Sequence, residues 1–225
     1  TRTVHEARAL TLAAEKAGVS TQMGNQNHSR GEYRSLVKIV QSGMLGKIRE
    51  AHTWSNRPIW PQGIDRPEGS DPVPETLNWN LWQGVASERA YKAGVYHPFK
   101  WRGWFDYGAG ALGDMGCHII DPVVWALGLG APNKVAYYGP EPKEETYPEW
   151  EILTYTFPGN ELTAASEFKM MWYDGGKLPK IEGTHIPDAS EIPNNGVMFV
   201  GEKGTAMCKH VGPPKLYPAD GVEFG

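Results

Sequence analysis

The chain has 225 residues, which suits one sizeable domain or one domain with part of another. Hydrophobic residues make up 40% and charged residues 21%, so a core can be buried, while 27 glycines and 18 prolines predict many turns and long ordered loops. Basic and acidic side chains number 22 and 26, which excludes the basic surface that nucleic acid requires. No apolar run approaches the roughly 18 residues of a membrane-spanning helix. We therefore expect neither nucleic acid nor a membrane as a partner.

The cysteines and tryptophans narrow the class further. Cys117 and Cys208 have no CxxC spacing, which argues against a disulfide scaffold or a structural zinc site, and we expect both to be reduced and buried. Most of the nine tryptophans lie between Trp54 and Trp125, close to Gly, Pro, Arg, Asp and Asn. Rings in such polar company suit stacking on sugars, although they also suit a core.

The first elements predict the end of an α/β unit. Thr3 and Glu6 have the spacing of a capping box, and Gly18 stands where a C-cap glycine belongs, so a helix is predicted over about 4–17. Residues 19–23 then have the pattern of a short strand. One helix and one strand cannot bury their own faces. We therefore expect this segment to be the trailing edge of a larger domain.

The next elements alternate between regular structure and long loops. A second capping box, Ser29 to Glu32, predicts an amphipathic helix that ends at Gly43 and whose apolar positions are Tyr33, Leu36, Val37 and Val40. Residues 47–55 have strand character. Five prolines within 56–76 exclude regular structure there, and such a long loop is often functional. Helical character returns around 75–84.

The second half predicts a sheet. Short runs rich in Val, Tyr, Thr and Phe lie between Gly and Pro turns, with a hairpin around 202–204 and a long polar loop at 174–195. Several links are too short for a crossover, so the strands should be mostly antiparallel. The predicted strands are residues 134–138, 151–157, 162–172, 197–200 and 205–209.

The segment from Trp101 to Trp125 contains glycines at G-x-G-x-x-G spacing, Gly108, Gly110 and Gly113. A dinucleotide site would need a buried strand before the first glycine and an acidic residue about 20 positions beyond the motif. The segment has neither, so we interpret it as a glycine turn that leads into a helix.

That helix, predicted over 111–127, carries a polar stripe and an apolar stripe. Asp114, His118, Asp121 and Trp125 share one face, because they are spaced i, i+4, i+7 and i+11. A carboxylate one turn from an imidazole can fix its tautomer and favour its protonated form, which suits acid-base chemistry. Pro122 removes a helical amide and predicts a kink. The second stripe, which should face the core, is Leu112, Met115, Ile119 and Val123.

Two other interpretations of this stripe remain. Asp114 and His118 would also suit an ordinary surface pair, and Asp114, His118 and a distant His97 would suit a metal-dependent hydrolase or isomerase. No further His or Cys lies at ligand spacing, so we predict no metal site.

Over its whole length the chain resembles the C-terminal, substrate-binding half of the Gfo/Idh/MocA oxidoreductases. The segment WRGWFDYGAGALGDMGCHIID at 101–121 resembles the substrate-site helix of that family, and TQMGNQNHS at 21–29 resembles the last cofactor-domain strand and its exit loop. GVMFVGEKGTAMCK at 196–209 resembles its late strand pair. NRPIWPQG at 56–63 and NWNLWQG at 78–84 resemble a planctomycete-like or Bacteroidetes-like branch.

The resemblance implies a fold and a division of the chain. The fold is α+β, with an open, mostly antiparallel sheet that has helices on one face, like the C-terminal domain of dihydrodipicolinate reductase. Residues 1–25 would be the trailing helix and strand of a truncated Rossmann domain, and 26–225 would be the domain for substrate binding and oligomerisation. A homo-oligomer, dimer or tetramer, is expected. The location would be cytoplasmic, or exported if residues upstream carried a signal.

The resemblance also implies an NAD(P)-dependent oxidation of a sugar or polyol hydroxyl, with NAD or NADP held mainly by the missing Rossmann domain. The usual catalytic lysine of the family lies in a Glu-Lys-Pro motif that this sequence does not include. Asp114 and His118 match the catalytic Asp and His, and His118 would be the base or its relay. The remaining expected site residues are Asp121 and Arg102 for substrate hydroxyls, Trp101, Trp104 and Trp60 for ring stacking, and Asn25 and Gln26 for the cofactor side.

Two alternatives to a dehydrogenase stay open. One is redox-assisted glycoside cleavage within the same family, in which transient oxidation acidifies a neighbouring C–H bond. The other is a carbohydrate-binding module, in which the tryptophans hold a sugar and nothing reacts.

Overall fold

A computed structural model describes residues 3–224. Seven strands form one sheet in the order β2-β3-β4-β1-β5-β6-β7, in which β1 and β4 are parallel and every other neighbouring pair is antiparallel. The expected α+β fold with a mostly antiparallel sheet is therefore confirmed. The strands are β1 (Ile48–Trp54), β2 (Lys134–Tyr138), β3 (Ile152–Pro158), β4 (Glu167–Tyr173), β5 (Gly196–Gly201), β6 (Gly204–Lys209) and β7 (Pro214–Pro218).

The predicted strands and the hairpin between β5 and β6 are confirmed, with two differences. β4 begins at Glu167 rather than at residue 162, because residues 160–163 form a turn closed by Asn160 and Thr163. β7 was not predicted, because the prolines at both its ends argue against a central strand. Its place at the sheet edge, paired only with β6, makes those prolines tolerable.

The helices are α1 (Val4–Ala17), α2 (Gly31–Gln41), α3 (Trp79–Gln83), α4 (Gly110–Ile119) and α5 (Asp121–Leu127). The predicted capping box of α1 is present, and Gly18 ends the helix with a φ of 65°. None of its residues is buried, and the strand predicted over 19–23 does not form. A strand needs a neighbour for its backbone hydrogen bonds, and no segment within 3–224 pairs with this one.

The second predicted capping box is wrong. Ser29 belongs to a short 3₁₀ turn, Gln26–Ser29, and α2 starts after Arg30 without a side-chain cap. The amphipathic pattern is nevertheless confirmed, because the four predicted apolar positions of α2 are buried.

The two faces of the sheet are covered differently. Helices α2, α4 and α5 pack on one face and contribute Leu36, Met115 and Val123, respectively, to the main core. The opposite face is covered over β1 and β5 to β7 by the loop predicted at 174–195, which brings Ile186 against Trp54. These three helices therefore lie on one face, as expected.

The predicted 111–127 helix is broken where the proline was expected to act. The polypeptide passes from α4 to α5 through Ile120, and Pro122 lies in the first turn of α5. A proline is tolerated in a first turn because its missing amide would have had no helical partner there. The predicted kink is confirmed.

The region 56–107 is mostly loop, as was predicted for residues 56–76, and it contains a second, aromatic core. The helix expected over 75–84 is reduced to the five residues of α3. Buried rings of Trp79, Tyr91, Tyr96 and Trp104 form this core. The region abuts the start of α4, where Tyr147 also packs on Gly110, leaving no room for a side chain at that position.

Candidate functional site at the kinked helix

At the N-terminal half of α4, Asp114 is paired with an arginine rather than with a histidine. Arg102 Nε donates to Asp114 Oδ1 at 3.1 Å, and the guanidinium lies over the rings of Trp101 and Phe99 at 4.4 and 4.5 Å. No hydrogen bond joins Asp114 to His118 within the described part of the chain. The prediction that Asp114 orients His118 is therefore wrong, because the permanently charged guanidinium has taken the carboxylate.

Two of the three expected stacking tryptophans belong to the protein interior. Trp104 is 1% exposed and donates its indole N–H to the carbonyl of Val95, and Trp60 is 4% exposed and donates to Gln62. A ring without exposed faces cannot stack on a ligand, so these two assignments are corrected to core residues. Trp101 is half-buried and remains available on its free side.

His118 occupies the C-terminal part of α4 and is half-buried. Its Nδ1 is buried and has no hydrogen-bond partner among residues 3–224. The ring lies 5.6 Å, centroid to centroid, from the ring of His210, at an angle of 52°. An unpartnered buried ring nitrogen is unfavourable, and a ligand that bonds to it would remove that cost.

His210 follows β6 and is held by Asn27. The side-chain amide of Asn27, which is 2% exposed, lies 3.0 Å from Nδ1 of His210 and 3.3 Å from its carbonyl oxygen. Burial lowers the pKa of His210 below its ordinary value, and the nearby His118 and the positive charges of Arg30 and Arg57 lower that pKa further. His210 is thus kept neutral beside His118.

Asp121, at the start of α5, is bound by His28. Nδ1 of His28 lies 2.9 and 3.1 Å from the two carboxylate oxygens, and its ring stacks on Trp125 with centroids 4.2 Å apart. The side chain of His28 is 50% exposed, and that of Asp121 is 21% exposed. This carboxylate-imidazole pair faces solvent beside the junction of α4 and α5.

Residues 25–28 hold the histidines at that junction. Asn25 donates to the carbonyl of Cys117 at 2.7 Å, which is one of the helix-end carbonyls left free by the kink. Gln26 is exposed and Asn25 is half-buried. Of the two residues expected on the cofactor side, Gln26 alone has a side chain that is not already bonded in the described structure.

The sequence stripe therefore separates into two clusters. Asp114 and Arg102 lie with Trp101, whereas His118 and Asp121 lie with three residues that the sequence interpretation missed, Asn27, His28 and His210. The signal for Asn27 and His28 was the polar run that begins with Asn25 and Gln26, of which only these first two residues were assigned a role; His210 lies outside that run. Cys117, expected to be buried, is exposed next to His118, while Cys208 is buried as expected.

The metal interpretation lacks a ligand set. Between residues 3 and 224, no three His, Cys, Asp or Glu side chains are grouped in a way that could hold a metal ion. His97 packs against Trp82 in the aromatic region instead of joining Asp114 and His118. Over the same residues, no helix has the length and apolar character needed to cross a bilayer.

The fold is that of the C-terminal domain of an oxidoreductase. The family model described as the oxidoreductase family, C-terminal alpha/beta domain, matches residues 30–188. The chain belongs to the Gfo/Idh/MocA oxidoreductase family. No curated protein sequence matched this chain.

Solved structures share the fold at low sequence identity. The WlbA dehydrogenase from Bordetella pertussis, in complex with NADH and UDP-GlcNAcA, is 13% identical with a TM-score of 0.55, over 98% of this chain and 54% of that chain. A super-repressor mutant of Gal80p from Saccharomyces cerevisiae is 12% identical with a TM-score of 0.55, over 99% and 53%. An oxidoreductase from Magnetospirillum magnetotacticum is 14% identical with a TM-score of 0.50, over 99% and 52%. The chain thus spans about half the length of these proteins.

Proposed function

We propose that this chain forms the substrate side of an NAD(P)-dependent oxidoreductase that oxidises a hydroxyl-bearing carbon of a sugar or polyol. One observation carries the proposal: Nδ1 of the half-buried His118 has no partner in the described structure, although the ring lies in a polar cluster. If the ring turns to present that nitrogen, a hydroxyl of a bound carbohydrate would supply its partner. The dehydrogenase complex with NADH and a UDP-sugar acid supports the same class of ligand through a shared fold.

Of the residues that the structure describes, only those at one edge of the site could contact a nicotinamide nucleotide. Gln26 is exposed beside the junction and would reach the cofactor, whereas the amide of Asn25 is bonded to Cys117. The nicotinamide, when bound, supplies the acceptor for a hydride. The chain's own residues would bind the carbohydrate, hold the reacting hydroxyl next to an imidazole and remove its proton. Asp121 and Trp125 would also order the wall against which the substrate lies.

We also propose that the complete protein is a homo-oligomer, a dimer or tetramer, and that it is either cytoplasmic or exported. The complete protein should elute as an oligomer in size-exclusion chromatography with light scattering. Cell fractionation would show whether the protein is cytoplasmic or exported.

The test uses the complete protein, with the residues that naturally flank this chain. Reduction of NAD⁺ or NADP⁺ is followed at 340 nm with a panel of sugars, sugar acids and polyols. We expect turnover with at least one pair, and a loss of about 100-fold or more in kcat/KM for His118→Ala. His185→Ala is the matched control, because His185 bonds to Thr205 away from the junction.

Each other outcome replaces the proposal with a stated alternative. Release of sugar from a glycoside with catalytic amounts of cofactor and no net reduction would assign redox-assisted glycoside cleavage. Sugar binding that His118→Ala leaves unchanged, with no chemistry under any cofactor, would assign a carbohydrate-binding module. A binding module is compatible with the fold, because a super-repressor mutant shares it and a fold does not by itself determine activity.

A further inference from the structure

An open cavity lies at the end of the sheet where β5 begins and β6 ends. Its volume is about 520 Å³, within the roughly 300 to 1,000 Å³ typical of sites for small ligands. The cavity adjoins the histidine cluster, because His210 lines it and also lies 5.6 Å, ring to ring, from His118. The lining residues are Pro193, Asn194, Asn195, Lys209, His210 and Val211.

Three polar side chains of this cavity have no partner in the part of the chain that the structure describes. Lys209 is exposed at the end of β6, and its ammonium group makes neither an ion pair nor a hydrogen bond there. The side-chain amides of Asn194 and Asn195 are equally unengaged. An ammonium offers three donors and no acceptor, and each amide adds two donors. Together they suit a ligand group that accepts hydrogen bonds and carries negative charge.

Two arginines add positive charge at this end of the sheet. Besides burial and His118, the charges of Arg30 and Arg57 lower the pKa of His210, so both arginines lie within electrostatic range of the cavity wall. Arg57 donates to the side chain of Asn56, which is uncharged. Within residues 3–224, neither arginine forms an ion pair with an acidic side chain.

Two acidic groups of the neighbouring elements are already engaged. Glu191 is bonded to Lys215 and to the hydroxyl of Tyr217, the latter at 2.6 Å, and Asp121 is bonded to His28. Because the whole chain has a net charge of -4, the positive charge at this end is a local feature. A cavity with one sign of charge attracts ligands of the opposite sign.

We propose that the substrate carries an anionic group, a carboxylate or a phosphate, which binds in this cavity to Lys209 and to the amides of Asn194 and Asn195. This inference rests on the proposed function, whose substrate class it narrows. With the anion in the cavity, the rest of the sugar extends past His210 towards His118. Lys209 is then the residue that selects anionic over neutral substrates, and the two arginines attract the anion to the site.

The first experiment measures binding of the anionic group alone, without turnover. The complete protein is titrated with sodium acetate and with inorganic phosphate at fixed pH and ionic strength, and the ring signals of His210 are followed by NMR. We expect a saturable shift with at least one of the two anions. Lys209→Met should weaken that binding about 10-fold, because a charge-assisted hydrogen bond is lost. Lys169→Met, at an exposed lysine of β4, is the matched control and should leave the binding unchanged.

The second experiment distinguishes the source of the anion. The complete protein is assayed with NAD⁺ or NADP⁺ on matched sets of a neutral sugar, its uronic acid and its phosphate ester. We expect kcat/KM for either the uronic acid or the phosphate ester to exceed that for the neutral sugar about 10-fold or more, which assigns a carboxylate or a phosphate. Lys209→Met should lower this ratio about 10-fold by raising KM for the anionic sugar, without raising KM for the nucleotide.

Melting temperatures of all variants are measured in parallel, and Lys209→Gln replaces Lys209→Met if the latter does not fold. A neutral sugar as the best substrate, or equal anion binding by the Lys209 and Lys169 variants, would overturn the inference and leave the proposed function standing. A raised KM for the nucleotide in Lys209→Met would do the same, because the cavity would then hold a cofactor phosphate. A wild type without turnover on any substrate would overturn the proposed function, and the titration alone would then show whether the cavity binds an anion.

Discussion

The two ends of the kinked helix use the same side chain, an aspartate, for different purposes. Asp114, in α4, is bound by Arg102 among aromatic rings, and both partners are about one quarter exposed. Asp121, in α5, is bound by His28, whose side chain is half-exposed. A guanidinium stays charged at every physiological pH, whereas an imidazole titrates there. The first end therefore holds an ion pair among aromatic rings, whereas the second presents an imidazole to solvent.

The neighbours of the two ends differ in the same way. The first end adjoins the aromatic core, in which the indole N–H groups of Trp79 and Trp104 are bonded to backbone carbonyls. The second end adjoins a buried asparagine and two further histidines, one with an unpartnered nitrogen. A cluster of tryptophans in the sequence therefore marked a buried core, and the polar residues of the second end came from separate segments of the chain.

The largest expected effect is on the free energy of unfolding and comes from the aromatic core beside the first end. Trp104→Ala should lower the free energy of unfolding by about 3 to 5 kcal/mol, because it removes a fully buried ring and leaves a cavity. Trp101→Ala, at a half-buried ring, is the matched control and should cost much less. Urea denaturation with unchanged m-values checks the difference. Equal losses would show that Trp104 is not a core ring.

How much of the structure at these two ends could be predicted depends on how far apart in the sequence the contacting residues are. The amphipathic pattern of α2, the kink at Pro122 and the positions of most strands along the chain are local properties, and the structure confirms them. The partner of each aspartate is not local. Helical spacing allowed Asp114 to reach His118, but the choice of Arg102 follows from how the loop before α4 folds back.

The histidine cluster illustrates the same limit. His28 and Asp121 are 93 positions apart, and Asn27 and His210 are 183 apart. No periodicity connects such positions in a single sequence. The strand predicted at 19–23 failed for a related reason, because a strand needs a neighbour and no other segment of residues 3–224 pairs with it.

The next largest effect tests whether buried hydrogen bonds stabilise the second end of the helix. Asn27→Ala should cost about 1 to 3 kcal/mol of stability, because the ring and carbonyl of His210 lose their donor in a buried place. Asn25→Ala, which removes one bond at a half-buried position, should cost about 1 kcal/mol. Thermal unfolding of both variants distinguishes them, and a smaller loss for Asn27→Ala would contradict the assignment.

The sheet offers a pH dependence away from both ends of the helix, at Glu151 just before β3 and Asp174 just after β4. Burial and the neighbouring Asp174 raise the pKa of Glu151 to about 7, and burial raises that of Asp174 to about 6. Acids with raised pKa bind more protons in the folded state, so stability should fall as the pH rises from about 4.5 through 7. Glu151→Gln should flatten that fall, and Glu149→Gln, at an exposed position, should not. Unfolding free energies measured across this range decide, and an unchanged slope in Glu151→Gln would contradict the prediction.

The smallest effect concerns the fixed charge itself. Arg102→Met keeps an apolar stem but removes the partner of Asp114, and it should cost about 1 kcal/mol because the pair is only partly screened by water. Arg66→Met breaks the more exposed pair with Glu145 and should cost a few tenths of a kcal/mol, since exposed pairs contribute little. Salt at about 1 M should reduce the Arg66 effect more than the Arg102 effect, because screening acts mainly on exposed charges. If both substitutions lowered the stability equally and responded equally to salt, Arg102 would be an ordinary surface cation. The ion pair of Asp114 would then not differ from an exposed pair, and the contrast between the two aspartates would not hold.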